Sequence, residues 1–117
     1  MSYDLHITRA KNWVRDRINP VTLSEILEKH NPLPAGFSVE EFPGDDSGEE
    51  FLVYESDNGE ASYIYFREKR APIMPCRNPY AIFAVIKLAE SLGAKVQGDD
   101  GEFYVIKNGK VETVDNE

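Results

Sequence analysis

The stretch from Asn78 to Ile106, NPYAIFAVIKLAESLGAKVQGDDGEFYVI, constrains the fold more than any other part of the chain. Asn78 can accept hydrogen bonds from the free backbone N–H groups that open a helix, and Pro79 suits the first helical position, where an N–H is not needed. Ile82, Val85, Ile86, Ala89 and Leu92 then recur at helical spacing, and Phe83 widens their stripe. Gly93 stands where a left-handed residue ends a helix. Lys95–Gln97 reads as a short strand, Gly98-Asp99-Asp100-Gly101 as a tight turn and Phe103–Lys107 as the returning strand. A one-sided helix beside a hairpin needs a sheet to pack on, so the segment predicts an α+β domain.

The rest of the chain extends that pattern. Tyr3, Leu5 and Ile7 alternate with Asp4, His6 and Thr8, which predicts a strand with one buried and one wet face. Arg9–Ile18 has no clear period around Trp13 and reads as a loop or helical turn. Thr22-Leu-Ser-Glu25 matches a capping box, and Leu23, Ile26 and Leu27 give the helix after it one apolar face to about His30. Phe37, Val39 and Phe42 suggest a strand that ends at the loop Pro43–Gly48. Glu50–Ser56 and Ala61–Glu68 read as two strands joined at Asp57-Asn58-Gly59. Tyr63, Ile64, Tyr65 and Phe66 put apolar bulk on both faces of the second strand, as in a sheet interior. Pro72 and Pro75 make Arg67–Arg77 a loop, and Glu112–Glu117 reads as a frayed tail. The expectation is therefore a single domain over residues 1–117 with the order β-α-β-β-β-α-β-β: an antiparallel sheet of five or six strands and two helices covering one face. Trp13 and the tyrosines are candidates for the other face.

Charge narrows the function classes. The formal net charge is −8, from 13 basic and 21 acidic residues. That balance disfavours a phosphate-binding surface and hence nucleic acid. It is also uneven, because no Lys or Arg falls between Asn31 and Phe66, where Glu40, Glu41, Asp45, Asp46, Glu49, Glu50, Glu55, Asp57 and Glu60 lie. A solvated acidic loop accounts for such a run, and so does a docking surface for a basic partner. Cys76 is the single cysteine, which rules out an internal disulfide and suits a reducing compartment. No apolar run approaches the ~20 residues of a membrane helix, and MSYDLHITRA does not have the pattern of an export signal. A cytoplasmic location is the expectation, with no membrane contact.

No motif carries recognisable chemistry. His6, His30 and Cys76 are too few and scattered for a zinc site, and Asp99, Asp100 and Glu102 lack the ligand spacing of an EF-hand. A hairpin tip that uses Asp and Gly for turn geometry is the expected reading of Gly98–Glu102. A phosphate-cradling loop, a nucleophile elbow and a dinucleotide fingerprint are all absent from the sequence. No cofactor is expected. Cys76, before a helix and beside Arg77, has neighbours that could lower a thiol pKa but no histidine near it in sequence. Tyr54, Tyr63, Tyr65 and Tyr80 suit either sheet packing or a binding face.

Both ends of the chain resemble a family of small uncharacterised bacterial proteins: Tyr3-Asp-Leu-His-Ile-Thr-Arg-Ala10 with Trp13 and Asn19-Pro-Val-Thr-Leu23, and Leu92-Gly-Ala-Lys-Val-Gln-Gly-Asp-Asp-Gly-Glu102. The resemblance carries no catalytic pattern. In type it is similar to immunity proteins that neutralise bacterial toxins. The function expected is a non-enzymatic, acidic protein-binding module facing a basic partner, such as a cognate toxin that acts on nucleic acid. The expected contact residues are Glu40, Glu41, Asp45, Asp46, Glu49 and Glu50, then Asp99 and Asp100, with Trp13 or Tyr54 as anchors. The alternative is a small-molecule or metal-binding protein, or an enzyme, built on Asp99, Asp100 and Glu102 with Arg67.

Overall fold

The computed structural model describes residues 4–15, 19–41, 50–67, 69–75 and 78–115. Strand β1 (Asp4–Thr8) leads through a short 3-10 turn (Trp13–Arg15) to α1 (Leu23–Lys29). A first meander follows, β2 (Phe37–Glu41), β3 (Glu50–Glu55), β4 (Ala61–Arg67) and β5 (Arg70–Pro75). Helix α2 (Pro79–Ser91) then leads to a second, β6 (Lys95–Gly98), β7 (Phe103–Lys107) and β8 (Lys110–Val114). All strands join one antiparallel sheet in the order β2-β3-β4-β5-β1-β6-β7-β8. β1 is the junction of the two meanders, antiparallel to β5 and to β6. β5 and β6 therefore run parallel to each other, and α2 is the crossover between them.

The helices form where the sequence signals stand. The Asn78 side chain accepts from the Tyr80 N–H, Pro79 opens the helix, and Gly93 follows it at φ 70°. Thr22 accepts from the Glu25 N–H to start α1, while the Glu25 carboxylate turns away to pair with Arg9. Ala81, Val85, Ile86, Leu88 and Ala89 are the buried residues of α2, so its apolar face is turned toward Ala81 and Leu88, leaving Ile82 and Phe83 half-buried. With Ile26 of α1 they pack on Leu5, Ile7, Leu52, Ile64, Met74 and Val96 of the sheet.

Among the described residues the sheet has eight strands, not five or six, because two segments expected as loop and tail are strands. β5 forms despite its prolines. The β4–β5 register passes from Tyr65↔Ile73 to Arg67↔Arg70, which leaves one extra residue on β5. Pro72 lies in that bulge, where a missing N–H breaks no ladder bond, and Pro75 is the last residue of the strand. β8 forms because Asn108 and Gly109 have φ of 52° and 78°. Two successive positive φ values make a tight hairpin turn that sends the chain straight back along β7. Val111 then pairs with Ile106 and packs on the core, and the tail strand is held through Val114.

The wet face expected for β1 is also corrected. His6 and Thr8 are 2% and 0% exposed. β1 has a neighbour on each side, and the turn that carries Trp13 folds back over its second face.

Candidate functional site

Strand alternation sorts the second face, the one away from the helices. Leu52 and Ile64 pair across β3 and β4 on the helix side, so Val53↔Tyr63 and their neighbours point the other way. Phe51, Tyr63 and Tyr65 form one aromatic patch there, with ring centroids 5.8 Å apart for Phe51–Tyr63, 5.7 Å for Phe51–Tyr65 and 6.4 Å for Tyr63–Tyr65. Tyr63 is 40% exposed. The register sets Glu40 opposite Phe51, so this carboxylate borders the patch, and Glu55 lies on the same face beyond Val53. Glu41 stands directly opposite Glu50. Two like charges opposed in a ladder destabilise it. Glu40, Glu41, Glu50 and Glu55 are all exposed, and β2 is an edge strand.

The expected anchors lie elsewhere. Tyr54 is on the helix side, its ring 4.9 Å from that of Phe37. It also covers Gly36, where a Cβ would come within 2.7 Å of the ring. Tyr80, 64% exposed, lines a cleft with Tyr54 and Phe83. The four tyrosines are thus split between the two faces. Asp45, Asp46, Glu49 and Cys76 lie outside the described residues.

Trp13 is half-buried and belongs to a second cluster, which the sequence did not reveal. Its ring stacks on the imidazole of His6, centroids 3.6 Å apart and planes 3° from parallel. His6 Nε2 lies 2.8 Å from Asp99 Oδ1, and the other Asp99 oxygen accepts from the Asp4 N–H at 3.0 Å. An ionised carboxylate only accepts, so Nε2 carries the hydrogen and Nδ1 is the acceptor. Burial is the main cause that pushes the His6 pKa down. The hydrogen bond and charge of Asp99 and the charge of Asp4 oppose that shift, and Arg67 adds to it. Burial also pushes Asp99 up, but the Asp4 N–H and His6 together outweigh it and hold the carboxyl below its ordinary value. The Arg67 guanidinium is lowered, first by burial and then by Arg70, and it donates to the Ala71 carbonyl in the β5 bulge.

Gln97 ties this cluster to the sheet. It pairs with His6 across β1–β6 and is 0% exposed. Its Oε1 accepts from the Trp13 N–H at 2.7 Å, and its Nε2 donates to the carbonyls of Gly101 at 2.8 Å and Lys11 at 3.3 Å. One buried amide thus clamps the Trp13 turn and the β6–β7 turn together. Chemically the centre holds rather than reacts. A carboxylate–imidazole pair is what a general base needs, but Nδ1 is buried and Trp13 covers one face of the ring. Asp99 spends its oxygens on His6 and Asp4, Asp100 is exposed on the turn, and the Glu102 carbonyl closes that turn with the Gly98 N–H. Among the described residues no group of three or more potential metal ligands converges. Among the described residues no helix is long and apolar enough to cross a membrane.

No protein-family model, curated protein or solved structure matches the chain.

Proposed function

We propose that the chain is a non-enzymatic protein-binding module that presents the β2–β3–β4 end of its sheet to a basic partner. The observation that carries this reading is an exposed tyrosine, Tyr63, in an aromatic patch bordered by the carboxylates of Glu40 on β2 and Glu55 on β3, two strands without a Lys or Arg. An apolar aromatic centre with a charged rim is the anatomy of a protein interface. The Glu41↔Glu50 pair alternates onto the helix side with Leu52, so it flanks the patch from the other face and adds negative charge to the same end of the sheet. Tyr63 replaces Trp13 and Tyr54 as the anchor. Asp99 serves the fold, while Asp100 is left as a remote acidic point.

The partner this surface fits is a protein with a basic cleft. An enzyme that grips phosphates has one, so a nucleic-acid-acting toxin in the same cytoplasm, neutralised as by an immunity protein, is the form of the reading we favour. The test is co-purification with the product of the neighbouring gene, followed by Tyr63→Ala and reversal of Glu40, Glu41 and Glu50 to Lys. Tyr63→Ala should weaken the complex at least about tenfold if it is an anchor. A complex indifferent to both changes docks elsewhere.

A further inference from the structure

Among the described residues the sheet has two edge strands, β2 and β8. The protein-docking surface occupies the β2 end and does not involve β8. β8 belongs to a hairpin whose two-residue turn, Asn108-Gly109, closes at Lys107↔Lys110. Such a turn closes on a hydrogen-bonded pair, and the bonding direction alternates along a strand. Lys110, Glu112 and Val114 therefore bond to β7, while the N–H and C=O groups of Val111 and Thr113 point to the open edge. Side chains alternate as well. Val111 packs on the core, and Lys110 and Glu112 are exposed on the second face. Lys107 shares that face directly opposite Lys110, so two like charges meet at the turn end of the hairpin. Neither Lys110 nor Glu112 makes an ion pair with another described residue.

This edge fits a second copy of itself, set antiparallel about a two-fold axis, and charge selects the register. Centred on Lys110 or on Glu112, the pairing sets like charges against each other. Centred on Thr113 or Val114, it gives Lys110 no acid. Centred on Val111, it places each Lys110 opposite Glu112 of the second copy, twice, on the exposed face. The same register brings the outward N–H and C=O groups of Val111 in both copies together as a hydrogen-bonded pair. It also sets an acid beside Lys110 on the side away from Lys107, which offsets their opposition. The other edge has no such match, because β2 carries Glu40 and Glu41 and no cation. We infer that the chain pairs with itself through β8, forming a two-fold dimer whose sheet continues across Val111 of both copies. The two acidic β2 ends then lie at the far ends of one continuous sheet, where each is open to a partner.

Sedimentation velocity and amide hydrogen exchange of the full chain, from about 10 µM to about 1 mM, test the inference. The native chain should pass toward dimer in that range, and the Val111 and Thr113 amides should exchange more slowly as concentration rises. Lys110→Glu and Glu112→Lys, both at exposed positions, each replace two attractive pairs by two repulsive ones. Each should weaken the dimer at least about fivefold. An equimolar mixture of the two variants should recover it, because acid again meets lysine at both pairs. Glu112→Lys also brings the net charge of −8 nearer to zero, so a general charge effect would strengthen its association instead. A monomer at every concentration overturns the inference. So does growth past the dimer, the mark of head-to-tail pairing between β8 and β2. A dimer in which the Val111 amide gains no protection, or a mixture that associates no better than its components, overturns it as well.

Discussion

Gln97→Leu is the substitution that most sharply separates a built turn from an incidental one. The leucine is close in volume, so the packing of β6 survives, and what is lost is one amide with three bonds. Two of them are short, 2.7 Å from the Trp13 N–H and 2.8 Å to the Gly101 carbonyl, and the third, to Lys11, is 3.3 Å. A neutral hydrogen bond contributes a net ~0.5–1.5 kcal/mol, and a buried group left without a partner costs about 1–3 kcal/mol. The Lys11 bond is the weakest, and its carbonyl belongs to an exposed residue that can turn to water. The expected loss is therefore about 2–4 kcal/mol. Urea unfolding followed by circular dichroism measures it. Trp13 is the chain's single tryptophan, so its emission reports whether the turn leaves His6 in the folded state. A loss below about 0.5 kcal/mol with unchanged emission would show that the Trp13–His6 stack holds the turn without Gln97.

Burial lowers the His6 pKa below its ordinary 6.5, against the opposing pull of Asp99 and Asp4, so the unfolded chain takes up the proton first as pH falls. Stability should then be full above about 6.5 and decline below it, and His6→Phe should flatten that part of a urea-midpoint profile between pH 5 and 8. Asp99, lowered from 3.8, contributes stability that is lost only at more acid pH, so Asp99→Asn should change the acid end of the profile. Ile86→Ala opens a cavity under α2 at a residue 3% exposed and should cost about 2–5 kcal/mol in the same unfolding assay. Gly93→Ala meets nothing within 4 Å but must adopt φ 70°, so it should cost about 1–2 kcal/mol from backbone strain alone.

The parts legible in the sequence were those whose signals are local. Asn78, Pro79 and Gly93 bound α2 because caps act within one turn, and Asp57-Asn58-Gly59 and Gly98–Gly101 mark turns because φ is set residue by residue. β5 was not legible because the bulge that shelters Pro72 exists only once β4 lies beside it. β8 could have been found: Asn108-Gly109 dictates a return strand, and Val111 and Thr113 alternate with Lys110 and Glu112. The His6 centre could not be read from proximity in sequence, since Asp99 is 93 residues away. Its one sequence signal was Gln97, a polar residue between Val96 and Gly98 on a strand otherwise bound for the core. The acidic run was visible as composition, but which carboxylates flank an aromatic patch followed only from the β2–β3 register.

The association rate with the basic partner tests the central claim most directly. Stopped-flow mixing would compare the native chain with the Glu40, Glu41 and Glu50 to Lys triple variant, between about 50 and 500 mM salt. Electrostatic docking acts on the encounter more than on the final affinity. The native rate should therefore fall at least about tenfold across that salt range, and the variant should start slow and respond little. Association that is equally fast for both chains and indifferent to salt would contradict the assignment of the β2–β3–β4 end of the sheet as the docking surface.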